Sequence, residues 1–513
     1  MKRFFSLLLV LMLLPVSVLG ENVQDTLMLG LVSSRTYEIR PLVPQERDLV
    51  SLYGLVYESL VTIDDNGLPQ PLLAENWTET GGGSTWTFTL RENVTFSDGT
   101  PLTAEDVAAS GNWILALANN SDAADQGFYQ NMKWTVSSFK ALDERTVEVK
   151  AKRDYYGVLY SMTFPVVHAT QVDIPAPLGT GPYVISAFEP GSYMWLDVNP
   201  NWWQTEPQVK EIMASFFPNN KDLITAYEYG RVDSAITRSV AAAQYKSGIS
   251  SLSIAYSTRQ LEVLLLNNGA FEFEDVRVRQ AIRYAINKDL IAQNVYMGMT
   301  IDADTPVPSD SWLYYDQEHI FVYNPEKAIE LLEEAGWTDS DGDNIMDRVV
   351  DGKKRNLHVR LFVYEDPEND VRFETANMIV DMLAEVKIEV KVTTMTYGEE
   401  REALESGAYD MALCAFQMDV VPDYGFFLRK GNSQNYCRYV SSEMTSLIDS
   451  LRTQENQTDF AYTSQTIQQQ FANDTPFICL FYRSGAILTR KMFTTVRTLR
   501  EFELLRGIEA FGR

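Results

Sequence analysis

Apolar and polar side chains alternate with period two in Trp86-Thr87-Phe88-Thr89-Leu90, in Leu357-His358-Val359-Arg360-Leu361 and in Lys387-Ile388-Glu389-Val390-Lys391-Val392. That period places one face of each segment in a core and predicts half-buried strands. The continuous apolar runs Met411–Phe416 and Phe477–Phe481 read as buried strands. Helical spacing appears at Val278, Ala281, Ile282, Ala285 and Ile286 after a cap at Asp275. A second helix has Asn324 as cap, Pro325 at its first position, an apolar face of Ala328, Leu331, Leu332 and Ala335, and Gly336 as its stop. Thr103 followed by Asp106 predicts a capping box at a third. Strands and helices are mixed throughout, so the fold class is α/β. No repeat of fixed period and no long low-complexity linker divides the chain.

The N-terminus changes the picture. Lys2 and Arg3 precede the apolar run Phe4–Leu14, and Val18 and Gly20 stand where a cleavage site needs tolerable residues. The segment 1–20 reads as a secretory signal cut before Glu21, too short in its core for a membrane anchor. No Cys lies near the cut, so export without a lipid anchor is expected, to the periplasm or outside the cell. An oxidising compartment would let Cys414 and Cys437 pair. The odd count of three leaves one thiol over, or all three as small buried hydrophobes. The 70 acidic against 43 basic residues give a net charge of −27, which repels phosphate backbones and anionic lipid surfaces. Partners made of nucleic acid are therefore not expected, nor is a chain that spans the membrane.

Catalytic signatures are missing. There is no nucleophile elbow, no zinc-protease helix and no phosphate loop ending in Lys-Ser/Thr. His168, His319 and His358 have no partners at ligand spacing. Gly179-Thr180-Gly181-Pro182 lacks the third glycine of a dinucleotide turn and reads as a structural one.

Several segments together resemble a known family. Phe88–Val107, containing Asn93-Val94-Thr95-Phe96-Ser97-Asp98-Gly99-Thr100-Pro101-Leu102, is similar to the signature of the family 5 extracellular solute-binding proteins, the dipeptide and oligopeptide receptors of ABC importers. Gly179-Thr180-Gly181-Pro182-Tyr183, Asn199-Pro200-Asn201-Trp202-Trp203, Val278-Arg279-Gln280-Ala281-Ile282, Ala335-Gly336-Trp337 and Gly407-Ala408-Tyr409-Asp410 follow in the family's order. The resemblance implies a two-lobed periplasmic-binding-protein fold (type II, large three-domain variety) with mixed sheets. Lobe one would be 21–50, 179–266 and 483–513; an extra domain, 51–178, would pack on it; lobe two would be 267–482. Two chain crossings, near Asn267-Asn268 and Tyr482-Arg483, would form the hinge. The implied protein is a monomer that captures a short peptide or other small solute, hands it to ABC permease subunits and carries out no reaction. An oligosaccharide, a metal chelate or haem is the alternative cargo, and a secreted hydrolase with paired carboxylates the alternative of another class.

An enclosed peptide ammonium requires a carboxylate, since an unpaired buried charge costs roughly 3–5 kcal/mol. The resemblance assigns that carboxylate to Asp419, with Phe416 as the aromatic residue before it and Asp423 as a rival, because Pro422-Asp423 inverts the family's Asp-Pro. It also brings Ser34 and Arg35, after the first strand, and Tyr129 of Gly127-Phe128-Tyr129 to the cleft border; packing in the core is the other fate of Tyr129. Tyr364 and Asp366, at the end of a strand, are further candidates. Asp339, Asp341, Asp343 and Asp347 offer oxygens at positions one, three, five and nine of a Ca²⁺-type loop. Asn344 at position six and Val350 at twelve break that pattern, so a solvated turn stands against weak structural Ca²⁺ binding; no other cofactor is expected.

Overall fold

The computed structural model describes residues 26–33, 37–44, 46–120, 127–153, 155–245, 247–248, 251–316, 322–365, 370–490, 499–505 and 507. The leader segment 1–20, Ser34, Arg35, His319 and Asp366 lie outside the described residues.

The period-two segments are strands. In Thr85–Leu90 the inward residues Trp86, Phe88 and Leu90 are buried. The segment read from Lys387 starts as a strand at Glu389, because Lys387, at φ 63°, still turns the chain out of the helix Val371–Glu385. The helix starts follow their caps. Asp106 accepts the Thr103 N–H at 2.8 Å at the head of Ala104–Asn119, and Asp275 accepts the Arg277 N–H at 2.9 Å before Val276–Ala285. Asn324 accepts the Lys327 N–H at 2.9 Å before Pro325–Glu334, and Gly336, at φ 86°, takes the left-handed conformation that ends a helix.

One mixed sheet organises the molecule. From one edge its order is Glu389–Met395, His358–Tyr364, Met411–Gln417, Leu252–Leu266, Phe477–Thr489, Ser234–Thr237, Thr26–Val32, Glu211–Phe217, Tyr193–Val198 and Tyr183–Glu189. His358–Tyr364 runs parallel to both its neighbours, whereas Leu252–Leu266 and Phe477–Thr489 run antiparallel along their whole length. Their ladder shifts register twice, between Glu262 and Val263 and, in the wider break, where Ser257 faces Ser484 and Leu261 faces Tyr482. The break lies ahead of Asn267-Asn268 and beside Tyr482-Arg483. On either side of it the long pair joins different strands, so a single ladder links the two lobes.

A separate antiparallel sheet, in the order Ala74–Thr80, Thr85–Leu90, Thr146–Ala151 and Val136–Ala141, carries the helix Ala104–Asn119. Gly111 lets that helix lie against Phe139, for a Cβ there would fall 2.5 Å from the ring. Gly179 and Gly181 press on the backbone of Leu55 and Val56, and Thr180 donates to Glu58 at 2.9 Å, which makes this turn a structural joint. Cys414, Cys437 and Cys479 are all free and buried, so no pair forms between Cys414 and Cys437; burial pushes the Cys437 thiol up to about 12.

Candidate functional site

The loop Met418–Tyr424 leaves the strand Met411–Gln417 and enters the space between the lobes. Three cavities meet around it. An inner one of about 140 Å³ runs under Tyr57, Phe128, Tyr129 and Phe502. A second of about 140 Å³ lies between Trp312, Tyr482 and Val420. The third, about 640 Å³, opens past Asn131, Asp423 and Arg452. Arg259 and Val420 line the first two, and Asp419 and Val421 the last two, so the loop is their common wall. Contacts between distant segments close the space around it: Trp312 donates to the Tyr160 hydroxyl at 3.0 Å, and the Tyr156 N–H to the Gln454 carbonyl at 2.7 Å.

Asp419 stands at that wall with both carboxylate oxygens hydrogen-bonded. One oxygen accepts from Asn131 Nδ2 at 2.7 Å, the other from the Val420 N–H at 2.6 Å, and no Lys or Arg among the described residues forms an ion pair with it. Burial raises its carboxyl above the usual carboxylate range, against those hydrogen bonds and the nearby Arg259 charge. Asp423, its rival, is already satisfied: Arg452 donates Nε at 2.9 Å and Nη2 at 2.5 Å to one oxygen, and the Gly425 N–H reaches the other at 2.7 Å.

Tyr129 does border the inner cavity, edge-on to Phe128 with ring centroids 5.1 Å apart. Phe416 does not face the cleft. It is 4% exposed and packs into the core, 5.0 Å from Phe427 and 5.6 Å from Phe477, because the inward face of its strand is the buried one. Tyr364 lines none of the three cavities; Arg372 donates to its hydroxyl and lies over its ring at 4.8 Å. Of the acidic turn, Asp339, Asp341 and Asp343 bring oxygens within 4.8 Å of one another. Asp347 falls outside that trio and is buried, accepting from Ser340, N–H at 2.9 Å and Oγ at 2.7 Å, with Lys354 at 3.5 Å. The Lys354 ammonium lies against Asp341 and Lys387 against Asp339 at 3.0 Å, so lysines already compensate the cluster.

Two residues of the site carried no signal along the chain. Arg259 sits at the ladder break and donates Nη1 to the Asp419 carbonyl at 2.6 Å. Tyr57 is 3% exposed, and burial raises its phenol well above the usual range. An isolated Arg in Ser257-Thr258-Arg259-Gln260 and one Tyr of 26 are unremarkable until the fold brings them to one cavity.

A sequence model described as bacterial extracellular solute-binding proteins, family 5 Middle, matches residues 69–436. The chain belongs to this family. Among family 5 relatives, the Nickel-binding periplasmic protein of Escherichia coli (strain K12) is 30% identical over 312 residues, 58% of this chain and 58% of that protein. The Oligopeptide-binding protein AppA of Bacillus subtilis (strain 168) is 24% identical over 456 residues, 84% of this chain and 81% of that protein. The crystal structure of NikA from Brucella suis in complex with Fe(III)-EDTA matches with a TM-score of 0.78 at 20% identity, over 95% of this chain and 99% of that one. The family 5 membership and the two-lobed fold agree with the resemblance read from Phe88–Val107 and its companions. Among the described residues no helix is long and apolar enough to cross a membrane.

Proposed function

We propose that this protein is an exported receptor that takes a short peptide into the cleft around Met418–Tyr424 and delivers it to the permease of an ABC importer, without chemistry on the cargo. Asp419 carries the reading: a half-buried carboxylate with hydrogen-bond donors but no ion pair among the described residues, at the wall shared by two cavities. A peptide ammonium supplies the missing charge, and its desolvation is repaid only there. Tyr129 and its neighbours would wall a site tolerant of side chains. In this reading 21–50, 179–266 and 483–513 form lobe one, 51–178 the extra domain and 267–482 lobe two, and the ladder break at Ser257–Leu261 is where they swing. Ligand contacts with both lobes shift the population toward the closed form. The leader 1–20 would be removed on export.

The test is calorimetry with di- to penta-alanine, free and N-acetylated, on the wild type and Asp419→Asn. The variant is expected to lose roughly a hundredfold or more in affinity for free peptides, the size of an unpaired buried charge, and little for acetylated ones. Equal affinities in both proteins remove Asp419 from the site. Binding of an oligosaccharide with no response to any peptide replaces the cargo.

A further inference from the structure

We infer that the inner cavity is a carboxylate site, in which Arg259 and Tyr57 hold the negative end of the ligand. This rests on the receptor reading above and assigns the cavity that reading leaves open.

Arg259 is half-buried, with Asp419, Glu501 and Glu503 near enough to act on its charge but none in an ion pair with it. Its Nη1 donates to a backbone carbonyl, its own N–H donates to Glu501 Oε2 at 3.1 Å, and its Nε is buried with no partner. No carboxylate among the described residues pairs with its guanidinium. Glu501 lines the same cavity but is held by Arg47 and, at 3.3 Å, by Arg238. The Tyr57 hydroxyl is likewise buried with no partner. Each orphaned donor is costly to leave unmade, and a guanidinium without a carboxylate more so. Both line one cavity, together with Phe128, Tyr129 and Phe502.

The surroundings select the anion. A guanidinium fork and a hydroxyl suit the planar oxygens of a carboxylate. Glu58, Glu501 and Glu503 line the same space and disfavour a more highly charged phosphate. The walls keep the fork in place. Phe502 lies 5.8 Å from the Arg259 guanidinium and 4.3 Å from Phe128, and its φ of 75° is a conformation an aromatic residue adopts only under constraint. With Asp419 joined to Arg259 through its own carbonyl, the pair presents one negative and one positive group, neither in an ion pair among the described residues, which is the complement of a zwitterion.

A carboxylate reaches such a cavity from a peptide C-terminus or from a carboxylate chelator, and the experiment separates them. Trialanine, trialanine amide and citrate are titrated into the full chain as wild type, Arg259→Met and Tyr57→Phe, with melting of each apo protein alongside. The wild type is expected to bind trialanine roughly tenfold or more tightly than its amide, the scale of a charged hydrogen bond. Arg259→Met should erase that gap by weakening the acid alone, and the melting of its apo form reports whether it folds. Tyr57→Phe, which keeps the packing, should narrow the gap and carries the test if Arg259→Met does not fold. Acid and amide bound alike by the wild type, or a gap untouched by Arg259→Met and Tyr57→Phe, overturns the carboxylate site and leaves the peptide reading standing. Citrate bound in an Arg259-dependent way with both peptides silent keeps the carboxylate site and overturns the peptide. No binding of any probe overturns both.

Discussion

Glu400 gives the sharpest quantitative consequence of the fold. It lies in the first turn of the helix Tyr397–Ser406, 2% exposed, and its Oε1 is buried with no partner. The nearby Arg372 is already committed to Glu262, Nε at 3.1 Å and Nη2 at 3.2 Å, so its charge only partly offsets the burial. Burial therefore pushes the Glu400 carboxyl from 4.5 up to about 7. Below the lower value both folded and unfolded chains hold the proton. Between the two the unfolded chain releases it while the folded one retains it, so stability falls as pH rises, and above about 7 the loss is complete. At 1.36 kcal/mol per pKa unit the total is about 3 kcal/mol. Glu400→Gln removes the titrating group. Urea unfolding of both proteins, followed by fluorescence at intervals across this range, should show the variant gaining on the wild type by about 3 kcal/mol from the acid to the alkaline end. A difference that stays constant with pH, or that grows toward acid, refutes the burial argument.

The same cluster sets a second expectation. Arg372→Ala leaves Glu400 without its nearby cation and Glu262 with only Arg483, 4.0 Å away, and should cost roughly 3 kcal/mol in urea unfolding at neutral pH; a loss under about 1 kcal/mol would mean that solvent or Arg483 compensates the pair. At the acidic turn, Lys354 and Lys387 already compensate Asp339, Asp341 and Asp343. Titrating Ca²⁺ into chelator-treated protein is expected to give no heat, and a stoichiometric heat that Asp341→Asn abolishes would restore the metal reading of that turn.

Much of the site's outline was legible in the chain, for reasons that differ from residue to residue. Asp419 stands where the resemblance places the carboxylate, although Pro422-Asp423 inverts the family's order, and the fold leaves it without an ion pair among the described residues. Asp423 looks equivalent in sequence; only the approach of Arg452, 29 residues later, separates them. Phe416 shows the limit of reasoning by neighbourhood: one residue's shift along a strand turns a side chain from cleft to core, and the apolar run Met411–Phe416 does not reveal which face is which. Cys414 and Cys437 appear able to pair when read as flanks of a loop, yet each is buried as a small hydrophobe.

Local rules by themselves determined the elements. Alternation made the strands, Asp106, Asp275 and Asn324 started the helices, and Gly336 ended one, because each depends on backbone groups within a few residues. The order of motifs along the chain determined the family. Tertiary structure alone decided which charges are left without partners. Arg259 and Tyr57 lie about 200 residues apart in the chain, and neither is unusual where it stands. Their lack of partners exists only once the fold has removed water from around them, since burial and pairing are properties of the space between segments and not of any one segment.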